Sequence, residues 1–253
     1  MIEKHGYLNR DILNLKSAVI REFDLRDAGF SIIKNNNLFD DELKEKISQL
    51  SKQDKNVTIG KILRDHPNLS QFMMDELAKL RQKFVDSNNI KEENILSIKR
   101  DALFIMNQDA RNLNIDGYTW QVKGKYSSYL YVNRKEFYYD PWSDTIDIKG
   151  LSSETKESCS LFINDIKRII RSWEKLPKDK LIRFLRDYRF NYLDRRLPLE
   201  SYRELNRNFS YRLNFSIDNN LYLSQIQNLE TLEIVDISYN YINYIIPIIG
   251  LLI

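Results

Sequence analysis

Two aspartates in apolar surroundings are the residues of this sequence whose type and placement could do chemistry. Asp24 lies in "FDLRDAGFSII", residues 23–33, and Asp101 lies in "SIKRDALFI", residues 97–105. If both segments are strands of one sheet, their carboxylates meet at its edge and can share two divalent cations, the arrangement that clamps a phosphoryl transfer. The alternative is a solvated helix end at Asp24 and a turn aspartate at Asp101, because aspartates are mostly exposed. Spacing alone leaves both interpretations open.

The composition restricts the kinds of metal site that the chain could build. One cysteine, Cys159, excludes an internal disulfide and a cysteine-based zinc site. The two histidines, His5 and His66, are too few for a histidine cluster. Any metal would therefore be held by carboxylates, which are the ligands of hard cations such as magnesium.

The positive charge of the chain is concentrated in one segment. The net charge is +3, but residues 164–212 hold fourteen Lys or Arg against seven Asp or Glu. Such a segment is a plausible electrostatic footprint for a polyanion. A solvated helical surface would have the same composition, so charge alone does not decide between the two.

The elements that would position these residues follow from the hydrophobic pattern. Its mixture of helices and hairpins predicts an α+β fold with an antiparallel sheet in a globular chain of 253 residues, 42% of them hydrophobic. Helices are predicted over residues 8–21, 39–52 and 68–86 and over the basic stretch 152–209. Strands are predicted over 94–107 with a turn at Lys99–Arg100, over 118–151 as two or three strands, and over 232–238.

The two ends of the sequence bear on its localisation. The start has no hydrophobic stretch typical of a signal peptide. The apolar run "IIPIIGLLI", residues 245–253, is too short to cross a bilayer and contains Pro247. We expect a buried terminal strand or a docking tail there, no membrane partner, and a cytoplasmic protein (in the host cytoplasm if the protein is viral).

A series of segments across about residues 20–212 resembles, in the same order, the motifs of B-family DNA polymerases. The first family motif is an aspartate, two residues and Ser-Leu-Tyr-Pro-Ser; "DLRDAGFSII" places Asp24 and Ser31 in register with it. The second is a lysine, three residues, Asn-Ser, one residue and Tyr-Gly. In "KQDKNVTIG" it is matched by Lys52, Asn56 and Gly60.

The later motifs follow in the family's order. The third, Asp-Thr-Asp-Ser, resembles "KRDALFI", in which Asp101 takes the place of the second aspartate and Lys99 replaces the first. The downstream Lys-Lys-x-Tyr and Asp-x-Lys-Gly motifs resemble "KGKY", residues 123–126, and "DIKG", residues 147–150. The segment "LDRRLPLESYRELNRNFSYRL", residues 193–213, resembles the thumb of the same family.

The resemblance implies a fold and a division of the chain. The fold would be a highly diverged polymerase-like palm with an antiparallel sheet, short helical fingers and a helical basic thumb, without an exonuclease domain. Residues 1–37 would hold an N-terminal helix and the first palm strand, and 38–88 the fingers-like helices. Residues 89–151 would hold the palm hairpin and strands, and 152–253 the thumb-like region with its apolar tail. A composition rich in Asn, Ile and Lys would suit a phage or another AT-rich genome.

The resemblance also assigns roles around the nucleotide. Asp24 and Asp101 would be the catalytic residues and would hold two magnesium ions. Lys52 would contact the phosphates of an incoming deoxynucleoside triphosphate. Asn56 and Gly60 would let their helix pack closely against the incoming base pair. Arg26 would contact phosphates.

DNA contacts would come from the later segments. Lys123, Lys125 and Tyr126 would grip the primer backbone of a primer–template DNA. The thumb arginines would track duplex phosphates, contacts that give affinity without reading sequence; they include Arg183, Arg186, Arg189, Arg195 and Arg196. Four aromatic residues of this half are predicted to be core instead of base-stacking platforms: Tyr138, Tyr139, Trp142 and Trp173.

The departures from the family pattern leave more than one function open. Lys99 replaces an acid, the fingers are short, and Gly29 stands where the family has a sugar-screening tyrosine. The first hypothesis is the catalytic palm and thumb of a DNA polymerase, or one subunit of a split phage polymerase that works with a separate exonuclease or polymerase subunit. The alternative is a non-catalytic, polymerase-like DNA-binding subunit of a viral replication or transcription assembly. A third is a phage interaction protein whose matches are accidental.

Overall fold

The computed structural model describes residues 6–150, 160–193 and 246–252. The chain forms two compact units. The first comprises residues up to Ile12 together with Ala18–Lys125, and the second comprises Leu13–Ser17 together with residues from Tyr126 onward. Each unit combines an antiparallel sheet with helices, so the predicted α+β class is confirmed.

The first unit is built on a six-stranded sheet with the order β1-β4-β5-β3-β7-β6. Its central strand pair, β3 and β5, is antiparallel, and β4 and β5 form a tight hairpin. The chain therefore leaves the sheet after β3, makes four helices, and returns as a hairpin that pairs beside the strand it left. The strands are β1 (Gly6–Leu8), β3 (Ile20–Leu25), β4 (Ile95–Lys99), β5 (Ala102–Met106), β6 (Asn114–Ile115) and β7 (Tyr118–Tyr126).

Four helices separate β3 from β4, and their ends carry ordinary sequence signals. The side chain of Asp40 caps α2 by accepting the N–H of Leu43 at 2.8 Å, and Ser51 caps α3 by accepting the N–H of Asp54 at 3.2 Å. The last helix begins with Pro67, which suits a first helical turn. The helices are α1 (Ala28–Asn35), α2 (Asp41–Ser48), α3 (Lys52–Asp65) and α4 (Pro67–Ser87), and a 3₁₀ turn (Glu92–Asn94) follows.

One face of this sheet packs against the helices, which follows from the alternation of side chains along a strand. Phe23 and Leu25 of β3 and Leu103 and Ile105 of β5 point to that face and are buried with side chains of all four helices. Residues of opposite parity in the same strands therefore point away from the helices. This opposite face includes Glu22 and Asp24 of β3.

The second unit has a four-stranded antiparallel sheet with the order β10-β9-β8-β2. In the described part of this unit, three helices pack their apolar faces on the sheet, with Ile169, Leu185 and Ile248 among the fully buried residues. Its strands are β2 (Asn14–Leu15), β8 (Ser128–Val132), β9 (Lys135–Asp140) and β10 (Thr145–Lys149). Its helices are α5 (Ser160–Lys175), α6 (Lys178–Leu193) and α7 (Ile246–Leu252).

Most predicted elements are present, with shifted boundaries. The helix predicted over 68–86 runs from Pro67 to Ser87, and the helix over 39–52 is α2 with its cap at Asp40. The strand–turn–strand prediction for 94–107 is confirmed, but the turn consists of Arg100 and Asp101, one residue later than expected. Residues 118–149 form four strands instead of the two or three predicted. The sequence does not separate β7 from β8 because a single residue lies between them.

Two predicted elements are wrong. Residues 8–21 were predicted as a helix, but they contain the end of β1, all of β2 and the start of β3. Ser17 has φ 52°, which a right-handed helix cannot contain, and Leu13 and Val19 of the supposed apolar stripe are about half exposed. The C-terminal run was expected as a strand or docking tail, and within the described residues it is the helix α7, buried in the core of the second unit.

The strand predicted at 232–238 lies outside the described residues. Among the residues that the structure describes, no helix is both long and apolar enough to cross a membrane.

We expect the aromatic stack under the central strands to dominate the stability of the first unit. The ring of Phe84 on α4 lies 5.3 Å from that of Phe23 and 4.4 Å from that of Trp120, centroid to centroid, and is fully buried. Phe84→Ala should therefore lower the free energy of unfolding by about 3–5 kcal/mol, the usual cost of such a truncation in a core. Urea denaturation followed by fluorescence would measure it.

The matched control is Val57→Ala on α3, where the side chain is half exposed. That change should alter stability by less than about 0.5 kcal/mol. Equal effects of the two truncations would contradict the assigned core.

Candidate functional site

Asp24 and Asp101 come together at one end of the central strand pair. Asp24 pairs with Ala102 in the β3–β5 register, so the turn residue Asp101 lies directly beside the end of β3. The N–H of Leu25 donates to the carbonyl oxygen of Asp101 at 3.1 Å, which fixes the two backbones against each other. The two aspartates of the sequence prediction are therefore neighbours in space, although 77 positions separate them in the chain.

A buried arginine holds the turn that carries Asp101. Arg81 of α4 is only 1% exposed, and its guanidinium donates to the carbonyl oxygen of Arg100. Arg100 itself has φ 54°, a conformation that costs a non-glycine residue of the order of 1 kcal/mol or more. Burial lowers the pKa of Arg81, and the nearby charge of Asp101 opposes that shift. Arg81 thus supplies both a backbone anchor and a positive charge behind the carboxylate.

The charges at this end of the sheet interact strongly. Burial raises the pKa of Asp101, and the neighbouring negative charge of Asp24 raises it further. The positive charges of Lys123 and Arg100 act in the opposite direction but do not cancel the shift. Burial and the neighbouring carboxylate therefore both disfavour the ionised form of Asp101.

A third acid and a lysine complete the cluster on the sheet face that points away from the helices. Glu22 lies two residues before Asp24 on β3, so both side chains are on this face, and they are 2% and 6% exposed as residues. The ammonium group of Lys123 on β7 lies 3.5 Å from Oε1 of Glu22 and 3.6 Å from Oδ1 of Asp24. A lysine ammonium thus occupies the space beside the carboxylates where a cation is favoured.

The donor set fits a hard divalent cation in part. Asp24 and Asp101 offer two carboxylates whose mutual repulsion a cation would relieve. Within the described part of the chain, however, no three acidic, histidine or cysteine side chains converge as a ready metal cluster. A metal held here would need further oxygen ligands from a substrate or from water, as magnesium commonly has.

The three predicted residues of α3 form one exposed strip. Lys52, Asn56 and Gly60 recur every fourth residue, and all three are exposed. Gly60 has open space where a side chain would project. Within the described residues no hydrogen bond or ion pair joins the side chains of Lys52 and Asn56 to the two aspartates. This strip faces solvent, away from the buried Ile59 of the same helix.

Arg26, two residues after Asp24, lines a shallow polar pocket of about 210 Å³. Its backbone N–H donates to the carbonyl oxygen of Thr119 at 2.9 Å, while its side chain is exposed at the amino end of α1. Lys34 adds a second positive charge, and neither basic side chain has an ion pair within the described residues. The pocket lining also includes Asp27, Phe30, Ser31, Asn35, Gly117 and Thr119.

Gly29 has a packing reason to be a glycine. A Cβ atom at this position would lie 3.4 Å from both the Cδ1 and Cγ2 atoms of Ile59. A tyrosine there would have to displace Ile59, because that separation is already at the tight limit of van der Waals contact. The position that screens sugars in the resembled family is used here to bring α1 against α3.

The predicted primer-grip residues lie in different environments. Lys123 contacts the acids described above, and Lys125 is exposed on the same strand. Tyr126 is buried in the second unit, where its hydroxyl donates to Oδ2 of Asp147 at 3.3 Å and its ring lies 5.1 Å from that of Tyr138. The "KGKY" and "DIKG" segments therefore meet through Tyr126 and Asp147, and Tyr126 packs in the interior instead of facing a ligand.

The predicted thumb arginines are only partly covered by the structure. Arg183 and Arg186 are exposed on α6, and Arg189 is on the same helix. Arg195 and Arg196 lie outside the described residues.

The aromatic predictions for this unit are confirmed with one exception. Tyr138, Tyr139 and Trp173 are buried. Trp142, also predicted as core, is 74% exposed, because it lies in the turn between β9 and β10 instead of in a strand.

Sequence reasoning missed two residues of the cluster. Glu22 had a signal, because Glu22 and Asp24 alternate with apolar residues at the period of a strand. Arg81 also had one, since it stands with Leu77, Leu80 and Phe84 at the spacing of a buried helical stripe. A charged residue at such a position has to find a polar partner inside the fold.

The comparisons with known proteins identify a family and leave its activity open. The family model described as Bacteriophage PBS1 gene 130 protein matches residues 1–253, so the chain belongs to this family. A comparison with curated proteins found no match. The family description names a phage gene and states no activity.

The raised pKa of Asp101 predicts a pH-dependent stability difference. The folded state holds the Asp101 proton more tightly than the unfolded state, so ionisation costs stability as the pH rises above the unfolded value of 3.8. Asp101→Asn removes this cost. We therefore expect the variant to gain stability relative to the wild type between pH 4 and neutral pH, as measured by urea denaturation across that range.

Asp41→Asn is the control of opposite sign. A hydrogen bond from Lys44 lowers the pKa of Asp41, so its carboxylate contributes stability that is fully present above pH 3.8 and is lost as the pH falls below that value. Its replacement should therefore lower stability by an amount that stays constant between pH 4 and neutral pH. A difference between Asp101→Asn and wild type that is constant with pH would contradict the assigned environment of Asp101.

Proposed function

We propose that this phage-family chain is the palm-like catalytic portion of a template-directed DNA polymerase. The observation that carries the proposal is the juxtaposition of Asp24 and Asp101 at one end of the β3–β5 pair. Both residues were singled out by the order of motifs, and only the fold brings them together. In this proposal a strand, four helices and a hairpin that returns beside the strand hold the two aspartates at one edge of the sheet.

The proposed reaction joins a primer 3′-hydroxyl to the α-phosphate of a deoxynucleoside triphosphate, with pyrophosphate as the leaving group. Two magnesium ions, when bound, would supply the positive charge that such a transfer needs at its attacking and leaving oxygens. The chain would contribute Asp24 and Asp101 as their carboxylate ligands. Arg81 would keep the Asp101 turn in place through the Arg100 carbonyl. Positioning and charge neutralisation would account for most of the catalysis.

The basic groups around α1 and α3 would hold the triphosphate. Arg26 and Lys34 line a polar pocket that begins two residues after Asp24, and neither charge is paired within the described residues. The exposed strip of Lys52, Asn56 and Gly60 would face the incoming nucleotide in this proposal. Gly29 has no side chain with which to exclude a ribose, as the tyrosine of the resembled family does. The choice between ribose and deoxyribose would therefore rest on other residues.

A second candidate is a non-catalytic, polymerase-like subunit that binds DNA in a larger phage assembly. The observation that favours it is Lys123, whose ammonium already neutralises Asp24 and Glu22. Lys99, in place of the family's first aspartate, points the same way. Under this proposal the lysine would be a permanent counter-charge, and the site would bind no magnesium.

Primer extension by the wild type and by Asp101→Asn tests the enzymatic proposal. An amide is a neutral and weaker ligand for magnesium than a carboxylate, so extension should fall at least about 100-fold, a loss seen even when residues that only support metal ligands are changed. Binding of the primer–template should be unchanged. The assay uses a labelled primer–template, magnesium and all four deoxynucleoside triphosphates.

Asp116→Asn is the matched control, because it makes the same chemical change at an exposed carboxylate paired with Lys83. It should extend primers as the wild type does. Wild-type protein that binds DNA but extends nothing would favour the non-catalytic subunit. Extension that persists in Asp101→Asn would show that the catalytic site lies elsewhere.

Magnesium titration of Lys123→Gln separates the two candidates without an activity assay. If the carboxylates bind magnesium, removing an ammonium 3.6 Å from Asp24 should strengthen binding roughly fivefold, since a charge pair at this range is worth about 1 kcal/mol in water. Lys125→Gln, two residues along the same strand and exposed, is the control and should bind as the wild type does. Calorimetry that detects magnesium in neither the wild type nor Lys123→Gln would exclude the enzymatic proposal.

A further inference from the structure

The most exposed aromatic side chain of the described residues is held on an ordered turn of the second unit. Trp142 is 74% exposed between β9 and β10. Oδ1 of Asp140 accepts the backbone N–H groups of Trp142 at 2.8 Å and of Ser143 at 3.2 Å, and Oδ2 accepts the Ser143 hydroxyl at 2.7 Å. The turn is thus fixed by its own hydrogen bonds, and Trp142 contributes little to the hydrophobic core.

The same turn is joined to a basic helix. Oδ1 of Asp144 accepts the Tyr139 hydroxyl at 3.0 Å, and Oδ2 lies 3.3 Å from both Nζ of Lys167 and Nη1 of Arg171 on α5. Trp142 is only two residues from Asp144. The turn that carries the exposed indole is therefore ion-paired to α5.

A groove runs along this helix. It has a volume of about 510 Å³. Its lining from α5 recurs at helical spacing (Asn164, Lys167, Arg168, Arg171, Ser172 and Lys175), and Leu176 directly after the helix completes it. The acid Glu174 points elsewhere and accepts the hydroxyls of Ser127 and Ser128. Arg168 lies over the rings of Phe184 at 5.7 Å and Tyr188 at 5.8 Å, which holds it between α5 and α6.

The charge of the two helices matches a polyanion. Residues 160–193 contain nine Lys or Arg against four Asp or Glu. A basic helix and an exposed aromatic ring, on a turn that is ion-paired to that helix, combine the two features by which proteins bind single strands without sequence preference. The ring distinguishes such a strand from an acidic peptide, which lacks bases, and from a duplex, whose bases are already stacked on one another.

We propose that this surface of the second unit binds single-stranded nucleic acid, with the backbone along the basic face of α5 and one base stacked on Trp142. The surface uses none of the residues assigned to catalysis, so it goes beyond the proposed function and can be tested apart from it. In a polymerase or in a non-catalytic subunit it would hold an unpaired strand.

Intrinsic fluorescence tests the stacking directly. The chain has three tryptophans, and Trp120 and Trp173 are 1% and 7% exposed, so an added ligand can quench mainly Trp142. Titration of the full chain with a 15-residue oligothymidylate, in low salt with a metal chelator, should quench the emission. Trp142→Ala should weaken binding, measured by anisotropy of a labelled strand, roughly fivefold or more. Trp142→Phe should restore most of the affinity without the quenching.

An abasic strand of the same length separates stacking from charge. It should bind the wild type and Trp142→Ala equally, because it offers phosphates and no bases. Lys175→Gln should weaken both strands, whereas Lys91→Gln, which removes the same charge from the surface of the first unit, should weaken neither. Asp101→Asn should bind oligothymidylate as the wild type does, so a failed polymerase proposal would leave this result unchanged.

Three outcomes would overturn the proposal. The first is equal affinity of wild type and Trp142→Ala for oligothymidylate. The second is no binding of either strand in low salt, where phosphate contacts are strongest. The third is tighter binding of a polyglutamate peptide than of oligothymidylate with the same dependence on Trp142, which would assign the surface to an acidic protein partner.

Discussion

The register between β3 and the β4–β5 hairpin is the constraint on which the candidate site depends. Phe23 and Leu25 face the helices together with Leu103 and Ile105. Because side chains alternate along a strand, this burial forces Asp24 to the opposite face and sets the Arg100–Asp101 turn beside it. A slip of one residue would turn the apolar residues away from the helices and place the acid among them, so the core and the site are specified by the same pairing.

That pairing explains why several energetically unfavourable features lie at one end of the sheet. Glu22 and Asp24 are buried acids, Arg81 is a buried base, and Arg100 adopts a left-handed conformation. Each of these is unfavourable by itself, and buried charges are tolerated only when they are paired or hydrogen-bonded. Here they compensate one another in part, since Arg81 binds the Arg100 carbonyl and Lys123 lies between Glu22 and Asp24. Buried charges and a strained backbone that gather at one place are typical of functional sites.

The two units carry different candidate sites. The first carries the acidic cluster and a pocket with unpaired basic groups, and the second carries an aromatic turn beside a basic helix. The description of the phage family to which the chain belongs states no activity. The acidic cluster is the basis of the catalytic proposal, and the basic surface is the basis of the proposal for single-strand binding. Either proposal can therefore hold if the other fails.

The sequence by itself determined the α+β class, the helices α2 and α4, the hairpin that carries Asp101, and the choice of the two aspartates. Local patterns sufficed because caps, helical periods and tight turns depend on neighbouring residues. Only the tertiary structure decided that β3 pairs with β5, that Glu22, Arg81 and Lys123 surround the aspartates, and that Tyr126 is buried while Trp142 is exposed. Residues 8–21 show the reason: their spacing suits a helix, but pairing of β2 with β8 and of β3 with β5 outweighs that local preference. Contacts between distant segments are not encoded in spacing, because the same apolar pattern is satisfied by any partner of suitable shape.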